Sequence, residues 1–152
     1  GGAVNWPVIA ERSLGVWKQA VNSNVVFGRG SDTRVSKQAG DCKNILAWGR
    51  TNGNALAVTY TRYNTVTKQV VDVDTIMNQK FVWTWADNAC GVVNTYDAQN
   101  ILTHELGHWM GLNDHYTSEY VENTMYGYGA KGETKKDTLT NGDIVGVKSL
   151  YE

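Results

Sequence analysis

Residues 104–115, which read HELGHWMGLNDH, contain all three histidines of the chain and restrict its fold more than any other stretch. His104 and His108 are four residues apart, a spacing that places both side chains on one face of an α-helix, one turn apart. Gly111 follows at a position where helices commonly end with a residue of positive φ. Asp97 can cap the start of this helix, because its carboxylate can accept a hydrogen bond from a free amide of the first turn. The stretch therefore predicts a helix at about residues 98–110 that presents two imidazoles side by side.

Two imidazoles on one helix face can bind a single zinc ion, and the HExxH pattern also supplies Glu105 as a general base. A catalytic zinc needs a third protein ligand while one coordination position stays open. Because the glycine after the helix lets the chain turn back, residues 113–115 are expected near the ion. Asp114 and His115 both carry suitable donor atoms, imidazole being the commoner ligand, and on the residues alone both are candidates for the third ligand.

Hydrophobic periodicity predicts further helices and strands around this helix. A period near 3.6 predicts a first helix at residues 9–22, and Thr140 with Asp143 in an approximate capping box begins a last helix. Short apolar or alternating runs predict four strands, at residues 24–30, 45–50, 56–63 and 69–78. The Asn-Gly between the second and third strands favours a hairpin, although a crossing connection is left open. The order of these elements predicts an α+β or α/β fold.

Composition and charge restrict the classes of partner. The chain has 14 basic and 15 acidic residues, and its longest basic cluster is Lys135–Lys136, so it lacks the positive surface expected for nucleic acid or an anionic membrane. No apolar run approaches the roughly 18 residues that span a bilayer, and the first residues lack the features of a signal peptide. We expect a single domain, residues 1–152, in a monomer whose export signal has been removed.

Cys42 and Cys90 are the only cysteines in the sequence. An even count permits one disulfide across a loop of about 50 residues, which would stabilise the fold by about 4 kcal/mol in the chain-entropy model. Such a bridge would indicate an oxidising compartment, and we therefore expect a secreted protein. Two free buried thiols are the alternative.

The residues around the predicted metal site resemble the signature of the metzincin clan of zinc endopeptidases. That signature is HExxHxxGxx followed by His or, in the snapalysin-like members, by Asp. His104, Glu105, His108 and the following glycine match it, and the third-ligand position falls on Asp114. The resemblance therefore implies Asp114 as the third zinc ligand and makes His115 the runner-up.

A methionine follows at the distance expected for the metzincin methionine turn. Met125, in NTMYGYG, would form the hydrophobic floor beneath the metal, and its Met-Tyr pair is most similar to the matrixin, or matrix metalloproteinase, branch. Astacin-like relatives carry a metal-approaching tyrosine two residues later, where this chain has Gly127. Tyr126 and Tyr128 are therefore not assigned as ligands, and together with Tyr116 they are expected to line the substrate pocket.

Taken over most of the chain, the resemblance implies an α+β metzincin catalytic domain with a twisted mixed sheet, three main helices and a Met-turn. It implies a secreted endopeptidase with one Zn2+, in which Glu105 assists a zinc-bound water to attack the peptide bond. The partner would be a peptide or protein substrate. A structural Ca2+ at Asp72 and Asp74 is open but not assigned, because alternation along a strand explains both residues equally well.

Two other classes of function are alternatives. Trp83, Trp85 and Trp109 could form an aromatic binding surface, so that the chain would be a catalytically inactive module stabilised by zinc. Core packing is the more common role of such tryptophans, and Glu105 would have no function at a purely structural zinc site, so both points favour the protease. The other alternative is a zinc hydrolase that cleaves bonds other than peptide bonds.

Overall fold

The computed structural model describes residues 4–22, 25–86 and 94–152. The chain forms two compact units. One consists of Gly1–Gly28 together with Val82–Glu152, and the other consists of Arg29–Phe81. The helices and strands of the described residues are α1 (Trp6–Ala20), β1 (Ile45–Gly49), β2 (Ala57–Tyr63), β3 (Val70–Asn78), β4 (Trp83–Thr84), β5 (Tyr96–Asp97), α2 (Ala98–Trp109) and α3 (Asn141–Tyr151). Helices and a small mixed sheet make the fold α+β, as predicted. The single-domain organisation stays a prediction.

The unit Arg29–Phe81 contains a three-stranded mixed sheet in the order β1-β3-β2. β1 runs parallel to β3, with Ile45 opposite Asp74, and β2 runs antiparallel to β3. The predicted hairpin between the strands now labelled β1 and β2 is therefore wrong, because both pair with β3 and the antiparallel pair is β2 with β3. Residues 72–78 are all buried, which means that both faces of β3 are covered and explains its central position.

The strand predicted at residues 24–30 is not found in the described part of that segment. Residues 25–30 have neither helical nor strand conformation. Val26 is 79% exposed, so the apolar run that suggested a strand is not buried as a unit. A short apolar run indicates a strand only where a neighbouring strand can pair with it.

The predicted disulfide joins Cys42 to Cys90, and Cys90 lies outside the described residues. Cys42 itself is exposed and has a positive φ of 60°. The alternative in which both thiols are free and buried therefore does not hold for Cys42. The disulfide stays a prediction.

Asp72 and Asp74 lie on one face of β3 and are almost fully buried, at 2% and 1% exposure. Arg62 of β2 forms ion pairs with both carboxylates, and its guanidinium lies 3.4 Å from Oδ2 of Asp74. Asp74 also accepts hydrogen bonds from the amides of Ala39 (2.9 Å) and Ile45 (3.2 Å). The chain thus supplies its own cation to this pair, and a calcium ion at these residues stays unassigned.

In the other unit, α1 packs against α2 through a buried polar contact within an apolar core. Trp17 is fully buried and donates from Nε1 to the carbonyl of Thr103 (2.7 Å), and Thr103 Oγ1 donates to Ser13 Oγ (2.9 Å). The fully or almost fully buried apolar side chains of this core include Ile9, Leu102, Leu106 and Val147. Within the described ranges, no helix has the length and apolar character needed to cross a membrane.

Local capping determines where the outer helices begin. α1 begins earlier than predicted because Asn5 caps it, accepting a hydrogen bond from the amide of Val8. α3 begins after Thr140, as predicted, and Asp143 accepts hydrogen bonds from the Thr140 amide (2.9 Å) and hydroxyl (2.7 Å). The apolar side chains of α3 are buried only in part, since Val147 is fully buried and Leu150 is 55% exposed.

Candidate metal centre

The HExxH residues lie on α2, and local capping interactions determine where this helix begins and ends. Asp97 caps its start, as predicted, because Oδ1 accepts from the amide of Asn100 (2.8 Å) and Oδ2 from that of Ala86 (2.7 Å). The helix ends at Trp109, and Gly111 has a φ of +87°, the conformation predicted for it. Most of α2 is buried, so its histidines project from a well-supported element.

The side chains of His104, His108 and Asp114 come together in the structure. One ligand atom from each residue lies within 4.8 Å of the other two. Oδ1 of Asp114 is 3.0 Å from Nε2 of His104 and 3.5 Å from Nε2 of His108. No other group of three or more histidine, cysteine or acidic side chains within the described ranges is arranged in this way.

The hydrogen bonds of the two imidazoles determine which nitrogen faces the cluster. Nδ1 of His104 is 2.8 Å from the carbonyl oxygen of Thr124, and Nδ1 of His108 is 2.8 Å from that of Leu112. Since a carbonyl only accepts hydrogen bonds, each Nδ1 carries the hydrogen and each Nε2 of the neutral rings presents a lone pair. Two nitrogen lone pairs therefore face one carboxylate oxygen.

The chemistry of these three donor atoms fits a zinc ion. Acceptor atoms that face one another repel unless a proton or a metal cation lies between them. Two imidazole nitrogens with one carboxylate oxygen are an established donor set for catalytic zinc. Oδ1 of Asp114 is buried without a hydrogen-bond partner, as expected of an atom whose partner is a metal.

The electrostatics of the cluster also favour a cation. Burial raises the pKa of Asp114, but its interactions with the His104 and His108 side chains outweigh this effect and hold the pKa far below its usual value. Burial lowers the pKa of His108, but the interaction with Asp114 and the charge of Glu105 outweigh it and raise the pKa. A carboxyl that stays ionised beside an imidazole that attracts a proton indicates a negative local potential.

His115, the runner-up for the third ligand, is not part of this cluster. Its backbone forms a short parallel bridge, in which its amide donates to the carbonyl of Met125 (2.8 Å) and its carbonyl accepts from the amide of Gly127 (2.8 Å). Its ring packs against Tyr120, with ring centroids 5.0 Å apart. Neighbouring side chains of an extended segment point to opposite sides, so Asp114 and His115 do not face the cluster together.

Tyr116 holds the second oxygen of Asp114. Its hydroxyl donates to Oδ2 at 2.9 Å, which leaves Oδ1 for the histidines. Gly127 makes room for this arrangement, since a Cβ there would overlap the Tyr116 ring. Tyr128 packs edge-on against both Tyr116 (5.3 Å) and Tyr126 (5.7 Å). The three tyrosines predicted for the substrate pocket thus form one tyrosine cluster beside Asp114, and the bond to the carboxylate is a feature that sequence reasoning missed.

Met125 packs beneath α2. A Cβ on Gly107 would overlap the Met125 sulfur and the Trp17 ring, so only glycine fits at this point of the helix. Asp143 holds the Met125 backbone, because its Oδ1 accepts from the Met125 amide (3.1 Å) and its Oδ2 from the Thr124 amide (2.9 Å). The carbonyl of Thr124 in turn binds the first metal-site histidine.

From the sequence, Asp143 is predicted only to cap α3, and no role is predicted for Gly107. The position of Gly107 inside a predicted helix could have indicated its role. Glycine destabilises a helix by about 1 kcal/mol relative to alanine, so a glycine there indicates close packing. No comparable signal marks Asp143, since its partners Thr124 and Met125 are distant in sequence.

The three tryptophans considered as an aromatic binding surface are packed within their unit. Trp83 lies edge-on to Trp6, with centroids 6.0 Å apart. The guanidinium of Arg12 lies 4.7 Å from the centroid of Trp85. Trp83, Trp85 and Trp109 are all half-buried. The binding-module alternative is therefore not favoured.

Comparison with known proteins adds independent evidence. The matrixin peptidase family matches residues 9–152, which covers most of the chain and the whole metal cluster. A comparison with curated proteins gives no significant match. Zinc dependence and the cleavage of peptide or protein substrates are properties of the family, and the cluster of two histidines and one aspartate is consistent with them. The chain therefore belongs to the matrixin family of zinc metalloproteases.

Proposed function

We propose that this protein is a zinc endopeptidase in which His104, His108 and Asp114 hold the ion and Glu105 is the catalytic residue. The observation that carries the proposal is the convergence of two imidazole nitrogens and one carboxylate oxygen. Asp114 is preferred to His115 as third ligand because its oxygen lies 3.0 Å from a histidine Nε2, whereas the His115 ring packs on a tyrosine.

The residues of the chain have separate tasks in peptide hydrolysis. A bound zinc ion would supply Lewis-acid chemistry, polarising the scissile carbonyl and making water more acidic. Glu105, which is 5% exposed and follows His104 on α2, accepts the proton of the attacking water and gives it to the leaving amine. Tyr116 holds Oδ2 of Asp114 and so keeps Oδ1 directed at the histidines.

The tyrosine cluster is assigned to substrate recognition. Tyr116 and Tyr128 are 58% and 62% exposed, so their rings are accessible to a bound peptide beside the metal ligands. Aromatic rings bind apolar and aromatic side chains through contact area and ring geometry. The substrate class is therefore a peptide or unfolded protein segment with an apolar or aromatic residue next to the scissile bond.

Two further assignments belong to the same proposal. Met125 is the methionine of a Met-turn, supported by its 1% exposure and its contact with Gly107 of α2. The protein acts as a secreted monomer, supported by the two cysteines and the low charged fraction of 19%.

Zinc content and cleavage of an unstructured protein, measured for the parent and three variants, test this proposal. Glu105→Ala is expected to keep zinc and to lose about 100-fold or more in kcat, because general acid–base catalysis is removed. Asp114→Ala is expected to lose zinc. His115→Ala, the matched control one residue away, is expected to keep it.

Each opposite outcome contradicts a different part of the proposal. Loss of zinc in His115→Ala but not in Asp114→Ala would show that the assignment of the third ligand is wrong. Cleavage by Glu105→Ala at the parental rate would refute the catalytic role. Cleavage of small esters without cleavage of protein would support the alternative of a nonpeptidase zinc hydrolase.

A further inference from the structure

Lys136 is a buried lysine in the loop that connects the tyrosine cluster to α3. Only 1% of the residue is exposed, and lysine is almost never fully buried without partners for its amine. It lies in the 3-10 helix Lys135–Asp137, which packs against α2. Burial of an amine is costly, which indicates that this side chain has a role in the structure around it.

The amine of Lys136 binds the backbone on both sides of one glycine. It donates to the carbonyls of Tyr126 and Tyr128, the second at 2.8 Å. Residues 126–128 are named here the tyrosine segment. Between the two carbonyls, the amide of Gly127 donates to the carbonyl of His115 at 2.8 Å. The tyrosine segment is therefore held by a lysine amine at its ends and by a backbone bond at its middle.

The backbone of Lys136 is anchored to the helix that carries the metal ligands. Its amide donates to Oδ1 of Asn100 at 2.8 Å, and Nδ2 of Asn100 donates to Glu133 at 3.2 Å. Asn100 lies four residues before His104 and eight before His108, so all three residues are on one face of α2. Lys136 thus connects that face of α2 to the tyrosine segment.

The amine also lies within electrostatic reach of the metal-site carboxylates. Burial lowers the pKa of Lys136 below its usual value, against the opposing influence of Glu133, Asp114 and Glu105. The amine therefore binds the tyrosine segment directly and interacts with these carboxylates through charge alone.

We propose that Lys136 is a positioning residue that sets the separation between α2 and the tyrosine segment, and thereby selects the substrate side chain accepted next to the scissile bond. Gly127 of that segment supports the Tyr116 ring, and Tyr116 in turn holds Asp114. A shift of the segment therefore changes the space beside the metal ligands. The part concerning substrate selection rests on the proposed peptidase function.

Four proteins are needed for the test: the parent, Lys136→Met, Lys136→Gln and Lys135→Met. Methionine and glutamine are both one atom shorter than lysine, but methionine has no N–H donor, whereas glutamine keeps N–H donors at the end of its side chain. Lys135 is the matched control, because it is the adjacent lysine and its amine donates to the carbonyl of Val121, outside the tyrosine segment.

Two measurements are made on each protein. Hydrogen–deuterium exchange of peptides covering residues 115–128, with and without zinc, reports the stability of the segment independently of activity. The second measurement is the ratio of kcat/KM for two peptides that differ only in having leucine or glycine after the scissile bond. A general loss of folded enzyme lowers both values equally and leaves this ratio unchanged.

Lys136→Met is expected to accelerate exchange in residues 126–128 and to change the leucine-to-glycine ratio about tenfold. Lys136→Gln is expected to give values between those of the parent and Lys136→Met, and it serves as the test if Lys136→Met does not fold. Lys135→Met is expected to match the parent. Parental exchange in both Lys136 variants, or a parental ratio, would overturn the proposal. If the parent itself neither binds zinc nor cleaves peptides, the proposed function fails, and the exchange data still decide whether Lys136 holds the segment.

Discussion

A single carboxylate, that of Asp114, joins the two histidines that we propose as metal ligands to the tyrosine cluster. Its Oδ1 faces the Nε2 atoms of His104 and His108, and its Oδ2 accepts a hydrogen bond from Tyr116. Such an outer partner orients a metal ligand and adjusts its charge, and its loss typically weakens metal binding or activity. One side chain therefore contacts both the proposed metal ligands and the proposed substrate pocket.

Protons compete with zinc at this cluster, so zinc affinity is expected to fall as pH decreases. The pKa of His108 is raised above its usual value of 6.5, and below the raised pKa zinc must displace a proton. Below that pKa, the apparent Kd for zinc is expected to rise about tenfold for each unit by which the pH falls. Above that pKa, the Kd is expected to be constant. Competition with a coloured chelator over a pH series measures this dependence. A Kd that is constant from about pH 8 down to about pH 5 would contradict it.

Two glycines in helices are expected to respond in opposite ways to alanine. A Cβ on Gly107 would overlap Met125 and Trp17, which are both buried and have little room to move, so Gly107→Ala should destabilise the fold by about 1–3 kcal/mol. A Cβ on Gly15 of α1 meets nothing within 4 Å, so Gly15→Ala should stabilise it by about 0.5–1 kcal/mol. Urea unfolding compares the two variants, and changes of the same sign would contradict the packing argument.

At the scale of secondary-structure elements, the first turn of α3 supports the loop beneath α2. Asp143 is 3% exposed and accepts hydrogen bonds from the amides of Thr140, Thr124 and Met125. The carbonyl of Thr124 binds Nδ1 of His104. A helix cap therefore also helps to orient His104, a proposed metal ligand, through one intervening residue.

Asp143→Ala is expected to reduce both stability and zinc affinity. It removes the helix cap and leaves two buried amides unpaired, which should cost about 3 kcal/mol in the free energy of unfolding. Thr140→Ala, the control, removes the capping hydroxyl but keeps the carboxylate, and should cost about 1 kcal/mol. Urea unfolding and chelator competition measure both effects. Equal losses in the two variants would show that the bonds to Thr124 and Met125 contribute little.

At the scale of the whole molecule, one carboxyl is expected to make folding stability depend on pH. Burial and, to a smaller extent, the charge of Asp97 raise the pKa of Asp137 from 3.8 to about 7. Its Oδ1 is buried without a hydrogen-bond partner. The folded protein therefore keeps a proton that the unfolded chain releases. The stability from this group is fully present below about pH 4 and is lost as the pH rises to about 7.

Asp137→Asn is expected to remove this part of the pH dependence, because asparagine has no proton to lose. The variant should be more stable than the parent above about pH 7, and the difference should decrease toward about pH 4. Urea unfolding at several pH values, in the presence of a chelator, measures it. Asp32→Asn changes the net charge equally at an exposed position and is the control. Identical profiles for all three proteins would contradict the prediction.

Features that depend on neighbouring residues could be predicted from the sequence. The limits of α2, its cap at Asp97, the positive φ of Gly111 and the start of α3 all follow from interactions within one or two turns. The strand order could not be predicted, because the Asn-Gly turn at residues 52–53 reverses the chain without specifying which strand lies beside it. That order depends on pairing between segments that are distant in sequence, which places β3 between β1 and β2.

The sequence by itself determined the chemistry of the site: two histidines on one helix face, a glutamate between them, and a glycine that ends the helix. Tertiary structure alone decided which of two adjacent residues, Asp114 or His115, shares the cluster with them. It also decided that Lys136 would bind the tyrosine segment. The physical reason is the sequence range of the interactions involved. The spacing of residues on a helix is a local property, whereas the direction of a side chain in a loop depends on contacts with residues that are distant in sequence.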